Sequence, residues 1–107
     1  MNNFVAYVLE LLEPFGQIKH KRMFGGYGIW VDGLIIAIIA DDELFFKVDE
    51  QTRPKYEAIN SHPFTYDGKG KTIAMSYWNI PDDILEDNAQ LAEFVEDAYN
   101  VSQRAKK

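Results

Sequence analysis

The sequence predicts an α+β fold in which helices pack against an antiparallel sheet. Apolar residues recur at helical spacing near both ends of the chain, strand-like apolar runs lie between them, and short turn segments separate those runs. Because short connections join antiparallel neighbours, the strands should form a meander. The predicted order is α-β-β-β-α-β-β-α.

The first helix and the first strand are predicted from residues 4–31. Apolar residues between Phe4 and Phe15 fall at helical spacing, and Asn3 is placed to cap this helix. Residues 18–31 read as two strand segments broken at Gly25-Gly26. Glycine is favoured where a strand kinks or where another chain passes close, so we interpret the break as a structural bulge.

Two more strands complete the first meander. Asp32-Gly33 is a strong signal for a two-residue hairpin. The continuous apolar run at 34–40 suits a central strand covered on both sides, or a strand at a barrel-like corner. After the turn at Asp41-Asp42, residues 43–48 form the third predicted strand.

A short helix and a second hairpin follow. Thr52 is the expected cap of the helix, because Pro54 fits only in a first helical turn. The hairpin turns at residues 67–71, and its returning strand ends in Tyr77-Trp78. Neighbouring strand residues point to opposite faces, so at least one of these two rings should lie in the core.

The last helix has the clearest signals. Asp87 and Gln90 have the spacing of a capping box. The residues that follow place one apolar face at helical spacing, made of Leu91, Phe94, Val95, Ala98, Tyr99 and Ser102. Acidic residues in its first half and basic residues at its end match the preference of a helix dipole.

Composition bounds the class of protein. A chain of 107 residues with 47% hydrophobic residues suits one domain over residues 1–107. The sequence has no cysteine, no recognisable signal peptide and no apolar run long enough to span a bilayer, so we expect a cytoplasmic protein. The net charge of −6 disfavours nucleic-acid binding that rests on phosphate contacts.

No residue pattern predicts catalysis, a cofactor or a metal site. His20 and His62 each lack a second ligand at metal-binding spacing. Gly70-Lys71-Thr72 imitates the end of a phosphate-binding loop, but Thr65 stands where the upstream glycine is required. We therefore expect a protein that is not an enzyme and needs no cofactor.

The chain resembles the N-terminal domain of the TfoX/Sxy family, bacterial regulators of natural competence. The segments that carry the resemblance are 22–28, 46–49, 63–66 and 75–81. The resemblance implies an α+β fold like that of secretion chaperones. It also implies transcriptional control in concert with a cyclic-AMP receptor protein at competence promoters. Full-length regulators carry a second, C-terminal domain, so a stand-alone domain is expected here.

The leading hypothesis is a regulatory module that binds a protein partner, with a cyclic-AMP receptor-type transcription factor as the partner implied by the resemblance. The expected contact surface is the exposed side of the sheet around Arg22, Phe24, Gly25, Gly26, Tyr27 and Trp78. An open sheet also leaves edges through which a homodimer could form.

Two alternatives stay open. Lys19, Lys21, Lys69 and Lys71 would make a basic patch for DNA or RNA if their two hairpins abut. A pocket between sheet and helices would instead suit a small-molecule ligand. No membrane contact is expected.

Overall fold

Six antiparallel strands form the centre of the fold in the computed structural model, which describes residues 2–23 and 25–106. The strands are β1 (Ile18–Met23), β2 (Gly26–Val31), β3 (Leu34–Ala40), β4 (Glu43–Lys47), β5 (Pro63–Gly68) and β6 (Lys71–Asn79). Their spatial order is β1-β2-β3-β4-β6-β5, and every neighbouring pair is antiparallel. The α+β prediction is confirmed.

Four helices pack on the sheet: α1 (Asn3–Leu12), α2 (Arg53–Ala58), α3 (Asp82–Leu85) and α4 (Asn88–Ala105). A 3-10 turn over Glu13–Phe15 follows α1. Each helix contributes buried residues to one core cluster, which also takes in Ile39 and Phe46 from the sheet. All four helices therefore lie on the same face. The short α3 was not expected from the sequence.

The glycine-rich segment forms a hairpin, where the sequence predicted one bulged strand. β1 and β2 pair from Met23↔Gly26 to Ile18↔Val31, so the sheet has six strands where five were expected. Gly25 lies in the turn with a φ of 76°, a conformation that glycine adopts without strain. A Cβ on Gly26 would lie 1.9 Å from the carbonyl oxygen of Ile39, so β3 requires a glycine there.

The sheet does contain a bulge, but it lies in the pairing of β2 with β3. Ile29 pairs with Ala37 while Trp30 pairs with Ile35, which leaves Ile36 as the extra residue. The hydroxyl of Ser102 on α4 donates a hydrogen bond to the carbonyl oxygen of Ile35. This contact fastens the longest helix to the irregular point of the sheet.

The turns are mostly as predicted. Asp32 and Gly33 have φ angles of 48° and 86°, as a two-residue hairpin with both central residues left-handed requires. The turn of Asp41 and Asp42 uses the same region, with φ angles of 51° and 57°. Aspartate tolerates this region better than most side chains, because its short polar group bonds locally.

The helix caps agree with the sequence in one case and differ in two. Asp87 caps α4 as predicted, because its Oδ1 accepts from the Gln90 N–H at 3.1 Å. The reciprocal half of the capping box does not form: the Gln90 side chain donates to Asp87 Oδ2 at 2.9 Å, and the Asp87 N–H donates to the carbonyl oxygen of Ile84. Asn2, one residue before the predicted Asn3, caps α1 by accepting from the Val5 N–H at 2.9 Å. Thr52 precedes α2 without capping it, since its Oγ1 instead accepts from the Asp49 N–H.

Candidate functional site

One face of the sheet carries no helix in the part of the chain that the structure describes. Phe46 points into the core beneath the helices, whereas its neighbour Phe45 packs with Ile38 and Tyr77 on the other side. We call this second side the open face. Strand alternation and pairing assign to it Met23, Trp30, Ile35, Ile38, Phe45, Phe64, Tyr66, Ile73, Met75 and Tyr77.

The centre of the open face is covered only by its own side chains. Phe45 is 4% exposed and Tyr77 is 9% exposed, and burial raises the pKa of the Tyr77 hydroxyl. The rings of Phe45 and Phe64 meet edge to face with centroids 5.2 Å apart. Tyr66, which stacks on Phe64, is 45% exposed. Apolar packing thus continues to the surface at the β5 edge.

Gly28 lies beneath two other side chains of the open face. This glycine pairs with Lys21 on one side and Ile38 on the other. A Cβ built on Gly28 would lie 2.5 Å from the Met23 sulfur and 3.0 Å from the Trp30 ring. These two side chains therefore lie over the glycine, which is buried, and are themselves partly exposed.

Lysines surround the apolar surface of the open face. Lys19 and Lys21 extend from β1, Lys47 from β4 and Lys71 from β6. Among residues 2–23 and 25–106, no carboxylate pairs with any of these four amines. Glu43 is the acid on this face.

Glu43 is already engaged by its neighbours. Its Oε1 accepts a hydrogen bond from Asn79 Nδ2 at 3.1 Å and lies 3.8 Å from His62 Nε2. The four lysines of the open face are therefore the charges available to a ligand there.

Charges on the helix side are paired within the fold. Partial burial alone would lower the pKa of Lys55, but hydrogen bonds to Asp97 and Glu93, at 2.7 and 2.9 Å, raise it. Arg104 Nη2 lies 2.8 Å from Asp49 Oδ2. These pairs tie α2 and the segment before it to α4, which is a structural role.

The buried Tyr56 hydroxyl has no hydrogen-bond partner within the described residues. Burial, and to a smaller extent the charge of Asp97, raise its pKa far above the usual range for tyrosine. Its ring packs edge to face on Phe94, with centroids 5.0 Å apart. The residue thus acts as an apolar wedge between α2 and α4.

The structure does not gather the six predicted partner-binding residues on one surface. Arg22 pairs with Tyr27 across β1 and β2, and Tyr27 packs against the core on the helix side. Trp78 lies beneath α2, with its ring 6.3 Å from that of Tyr56. β3 and β4 separate Tyr27 from Trp78.

The remaining three predicted contact residues belong to the first hairpin. Gly25 is exposed in the turn and Gly26 is buried against β3. Phe24 lies outside the described residues.

The four predicted nucleic-acid lysines divide between the two ends of the sheet. Lys19 and Lys21 lie on the edge strand β1, whereas Lys69 and Lys71 belong to the β5–β6 hairpin at the opposite side. The two hairpins do not abut. Lys19, Lys21 and Lys71 nevertheless share the open face, while Lys69 lies in the turn with a φ of 48°.

Sequence reasoning did not single out Ile35, Ile38 or Lys47 for function. Two signals pointed to them. The run at 34–40 is apolar on both sides of its strand, and Phe45-Phe46 places a phenylalanine on each face of the next one. Such strands indicate burial on both faces. In the structure, helices bury the sheet on one face only.

Three other features have weaker support: a metal site, a membrane-spanning helix and a pocket for a small ligand. Among the described residues, no group of three or more histidine, aspartate or glutamate side chains is arranged to hold a metal ion. No described helix is long and apolar enough to cross a membrane. A cavity of about 320 Å³ between the 3-10 turn and α4, lined in part by Phe15, Asp32 and Tyr99, is the place to test for a small ligand.

Comparison with known protein families identifies the family of this chain. Residues 10–102 match the TfoX N-terminal domain, and this match covers most of the chain. The chain therefore belongs to the TfoX N-terminal domain family. The resemblance found in the sequence is confirmed.

Two relatives extend the comparison. Protein Sxy of Escherichia coli (strain K12) is 26% identical over 85 residues, which are 77% of this chain and 39% of Sxy. An uncharacterized 12.7 kDa protein in the trpE 5′ region of Spirochaeta aurantia is 28% identical over 86 residues, which are 79% of this chain and 68% of that protein. The aligned part of this chain thus spans well under half of Sxy.

Proposed function

We propose that this chain is a non-catalytic regulatory module that binds a protein partner through the open face. The observation that carries the proposal is a helix-free sheet face on which Trp30, Ile35 and Met75 stay partly exposed. Partly exposed apolar side chains on a helix-free sheet face are a common feature of protein interfaces. Free lysines beside such side chains add orientation and specificity to binding.

Membership of the TfoX N-terminal domain family supports a role in regulation. Competence regulation in the cytoplasm is the role proposed from the resemblance, and a cyclic-AMP receptor-type transcription factor is the first partner to test. The similarity to Sxy reaches only 39% of that protein, so its full activity comes to this chain as a proposal.

Site-specific crosslinking in the host cell tests the proposal. A photoreactive phenylalanine analogue replaces Ile35 on the open face, and a matched chain carries it at the exposed Glu96 of α4. We expect one defined protein adduct from position 35 and none of the same mass from position 96. The adduct partner is then purified and its binding measured by calorimetry. Equal adducts from both positions, or binding unaffected by Ile35→Lys, would contradict the proposal.

Direct nucleic-acid binding is the second candidate. It is favoured by Lys19, Lys21 and Lys71, which share one face with the exposed ring of Tyr66. A gel shift with single-stranded and duplex DNA across a salt series decides it. Nucleic-acid binding predicts affinity that falls steeply with salt. No shift at low salt removes this candidate.

A further inference from the structure

We infer that the outer edge of β1 binds an extended, acidic segment of a partner protein, which joins the six-stranded sheet as a further strand. The inference goes beyond the proposed function, because it concerns an edge of the sheet and not the open face. It follows from three features of β1: its outward backbone groups, its regular register and its basic side chains.

β1 is one of the two edge strands of the sheet. The Asp32 N–H donates to the carbonyl oxygen of Gln17 at 2.9 Å, which continues the pairing of β1 with β2. Because antiparallel residues alternate between hydrogen-bonded and non-hydrogen-bonded pairs, Lys19 and Lys21 bond to β2, and the residues between them turn their backbone groups outward. These outward residues are Ile18, His20 and Arg22.

The outward backbone groups of β1 are available to a ligand. Across residues 2–23 and 25–106, no other element supplies a backbone hydrogen bond to Ile18, His20 or Arg22. The side chains of His20 and Arg22 are exposed, so no described helix covers this edge. Each of the three residues therefore offers one N–H donor and one carbonyl acceptor along the same line.

The opposite edge, β5, is protected in a way that β1 is not. Pro63 has no N–H to donate, and the register of β5 on β6 shifts between Pro63 and Thr65. β1 contains no proline, and its six pairs with β2, from Ile18 to Met23, follow in unbroken register. A strand with regular register and intact N–H groups is the edge to which an extended segment can add.

The basic side chains of β1 select an acidic segment. Lys19 and Lys21 project on the open face, and Arg22 projects on the helix side with His20. Within the described part of the chain, no carboxylate pairs with Lys19, Lys21 or Arg22. Opposite charges on neighbouring strands stabilise their pairing, and like charges oppose it. Acidic residues on both faces of an added strand would therefore complement β1.

The same charges disfavour a second copy of this chain as the occupant. β1 paired with β1 would set basic residues against basic residues. The β5 edge of a second copy lacks the N–H of Pro63 and carries one acidic residue, Asp67. Charged side chains on an edge strand are a common protection against such self-pairing. These observations favour a different protein.

The backbone chemistry of the edge favours a peptide over a nucleic acid. Phosphate oxygens can accept from the N–H groups of His20 and Arg22, but they have no proton to give to the carbonyl oxygens that alternate with them. A peptide strand supplies both a donor and an acceptor at every second residue. It thus satisfies both kinds of outward group, whereas a phosphate backbone satisfies one.

A ten-residue peptide with the centre Val-Glu-Glu-Thr-Glu-Val provides the probe. In an antiparallel pairing its glutamates lie opposite Arg22, Lys21 and Lys19. Two further versions carry N-methyl groups on alternate residues, one version on the odd positions and the other on the even positions. In an added strand, one of these sets faces β1 and the other faces solvent.

The readout is hydrogen exchange of single backbone amides, followed by NMR. We expect the peptide to slow exchange at His20 and Arg22 and to leave Thr65 and Asp67 of the β5 edge unchanged, which makes those two amides the matched control. One N-methylated version should lose binding and the other should keep it. This comparison uses the unaltered protein, so it does not depend on the folding of a variant.

Charge reversal tests the side chains of β1. Lys19→Glu/Arg22→Glu should weaken binding roughly tenfold or more, the effect of reversing two cross-strand charge pairs. A peptide with lysines in place of the glutamates should bind this variant better than it binds the parent chain. Lys69→Glu/Lys106→Glu makes the same change in net charge away from β1 and should bind the glutamate peptide as the parent chain does.

Several outcomes overturn the inference. The glutamate peptide does not bind, or it protects Thr65 and Asp67 as much as His20 and Arg22. Both N-methylated versions bind as well as the parent peptide, which would mean that charge alone holds it. A dT oligonucleotide that displaces the peptide assigns the edge to nucleic acid, and concentration-dependent protection of the same amides without peptide assigns it to a second copy. Crosslinking from Ile35 tests the open face separately, so the edge and the face can fail independently.

Discussion

Both faces of the sheet carry apolar side chains, and the two faces differ in what covers them. Phe46 on the helix side is fully buried under α2 and α4, whereas Phe45 on the open face is 4% exposed and is covered by strand side chains and by His62, without a helix. One face is buried by separate elements of the chain. The apolar side chains of the other face cover one another at its centre, and those at its edges stay partly exposed to solvent.

This difference shows how one sheet can serve stability and binding at once. The helix side carries the large core cluster, with paired charges around it. The open face carries a small cluster with free lysines nearby. The apolar side chains on that face lose little conformational freedom when a ligand binds, because neighbouring strand residues already restrict them. A ligand can then displace water from their exposed edges.

The largest effect should come from truncating the two neighbouring phenylalanines. Phe46→Ala should lower the free energy of unfolding by about 4 kcal/mol, because it empties a closed core site. Phe45→Ala should cost about 2 kcal/mol, since its space opens toward solvent. Urea denaturation of both variants measures the difference. Equal losses would mean that the open face is as tightly packed as the core.

The second test compares two glycines of β2. Gly26→Ala should cost about 3 kcal/mol, because the new methyl group meets the backbone oxygen of Ile39, which cannot move aside. Gly28→Ala meets the side chains of Met23 and Trp30 on the open face, and these can turn outward. We expect about 1 kcal/mol there.

The emission of Trp30 supplies an independent readout for the glycine pair. Gly28→Ala should change it, because the ring leans over this glycine. The spectrum is recorded in a Trp78→Phe background so that one indole reports. Unchanged emission together with a loss as large as that of Gly26→Ala would show that the open face is rigid.

A third test removes the contact between α4 and the bulge. Ser102→Ala should cost about 2 kcal/mol, because the carbonyl of Ile35 loses a partner in a buried place. Ser76→Ala, an exposed serine on β6, is the matched control and should change little. Thermal melting compares the two. A silent Ser102→Ala would mean that the helix is held by apolar packing alone.

The smallest effect concerns an ion pair on the helix side. Burial alone would raise the pKa of Asp49, but Arg104 and the backbone N–H groups of Thr52 and Gln51 hold it below its ordinary value. A lowered carboxyl pKa stabilises the fold above the unfolded pKa, near 4, and that stability is lost as pH falls through the folded value.

Arg104→Gln should therefore cost about 0.5 kcal/mol at pH 7, as expected for a partly exposed pair. The difference from the parent chain should be smaller at pH 2 than at pH 7, because Asp49 takes up a proton as the pH falls. Urea denaturation at both pH values checks this, with Arg53→Gln as the control, since Arg53 pairs weakly with Glu57 at 3.8 Å. A constant difference at both pH values would mean that Arg104 acts through packing.

Local patterns predicted much of the fold. The turn at Asp32-Gly33 and the N-cap at Asp87 are confirmed, because each depends on bonds within a few residues. The prediction of a bulge at Gly25-Gly26 was wrong, because a hairpin turn lies there. A bulge and a tight hairpin both need glycine, and only the pairing of residues on either side distinguishes them.

The candidate site was harder to predict than the fold. Lys19, Lys21 and Lys71 were singled out and do share a face, but the two hairpins lie at opposite sides of the sheet. Tyr27 and Trp78 were expected on the exposed side and lie on the helix side. Alternation places neighbours on opposite faces without stating which face a helix will cover.

By itself, the amino-acid sequence determined where the chain turns, which residues begin the last helix and which side chains share a strand face. These are short-range properties of backbone conformation and hydrogen bonding. The tertiary structure alone decided that α1 to α4 would cover the same side and leave Trp30 and Ile35 partly exposed. The hydrophobic effect is non-directional and favours burial of either face, so the face that the helices cover depends on how all elements pack together.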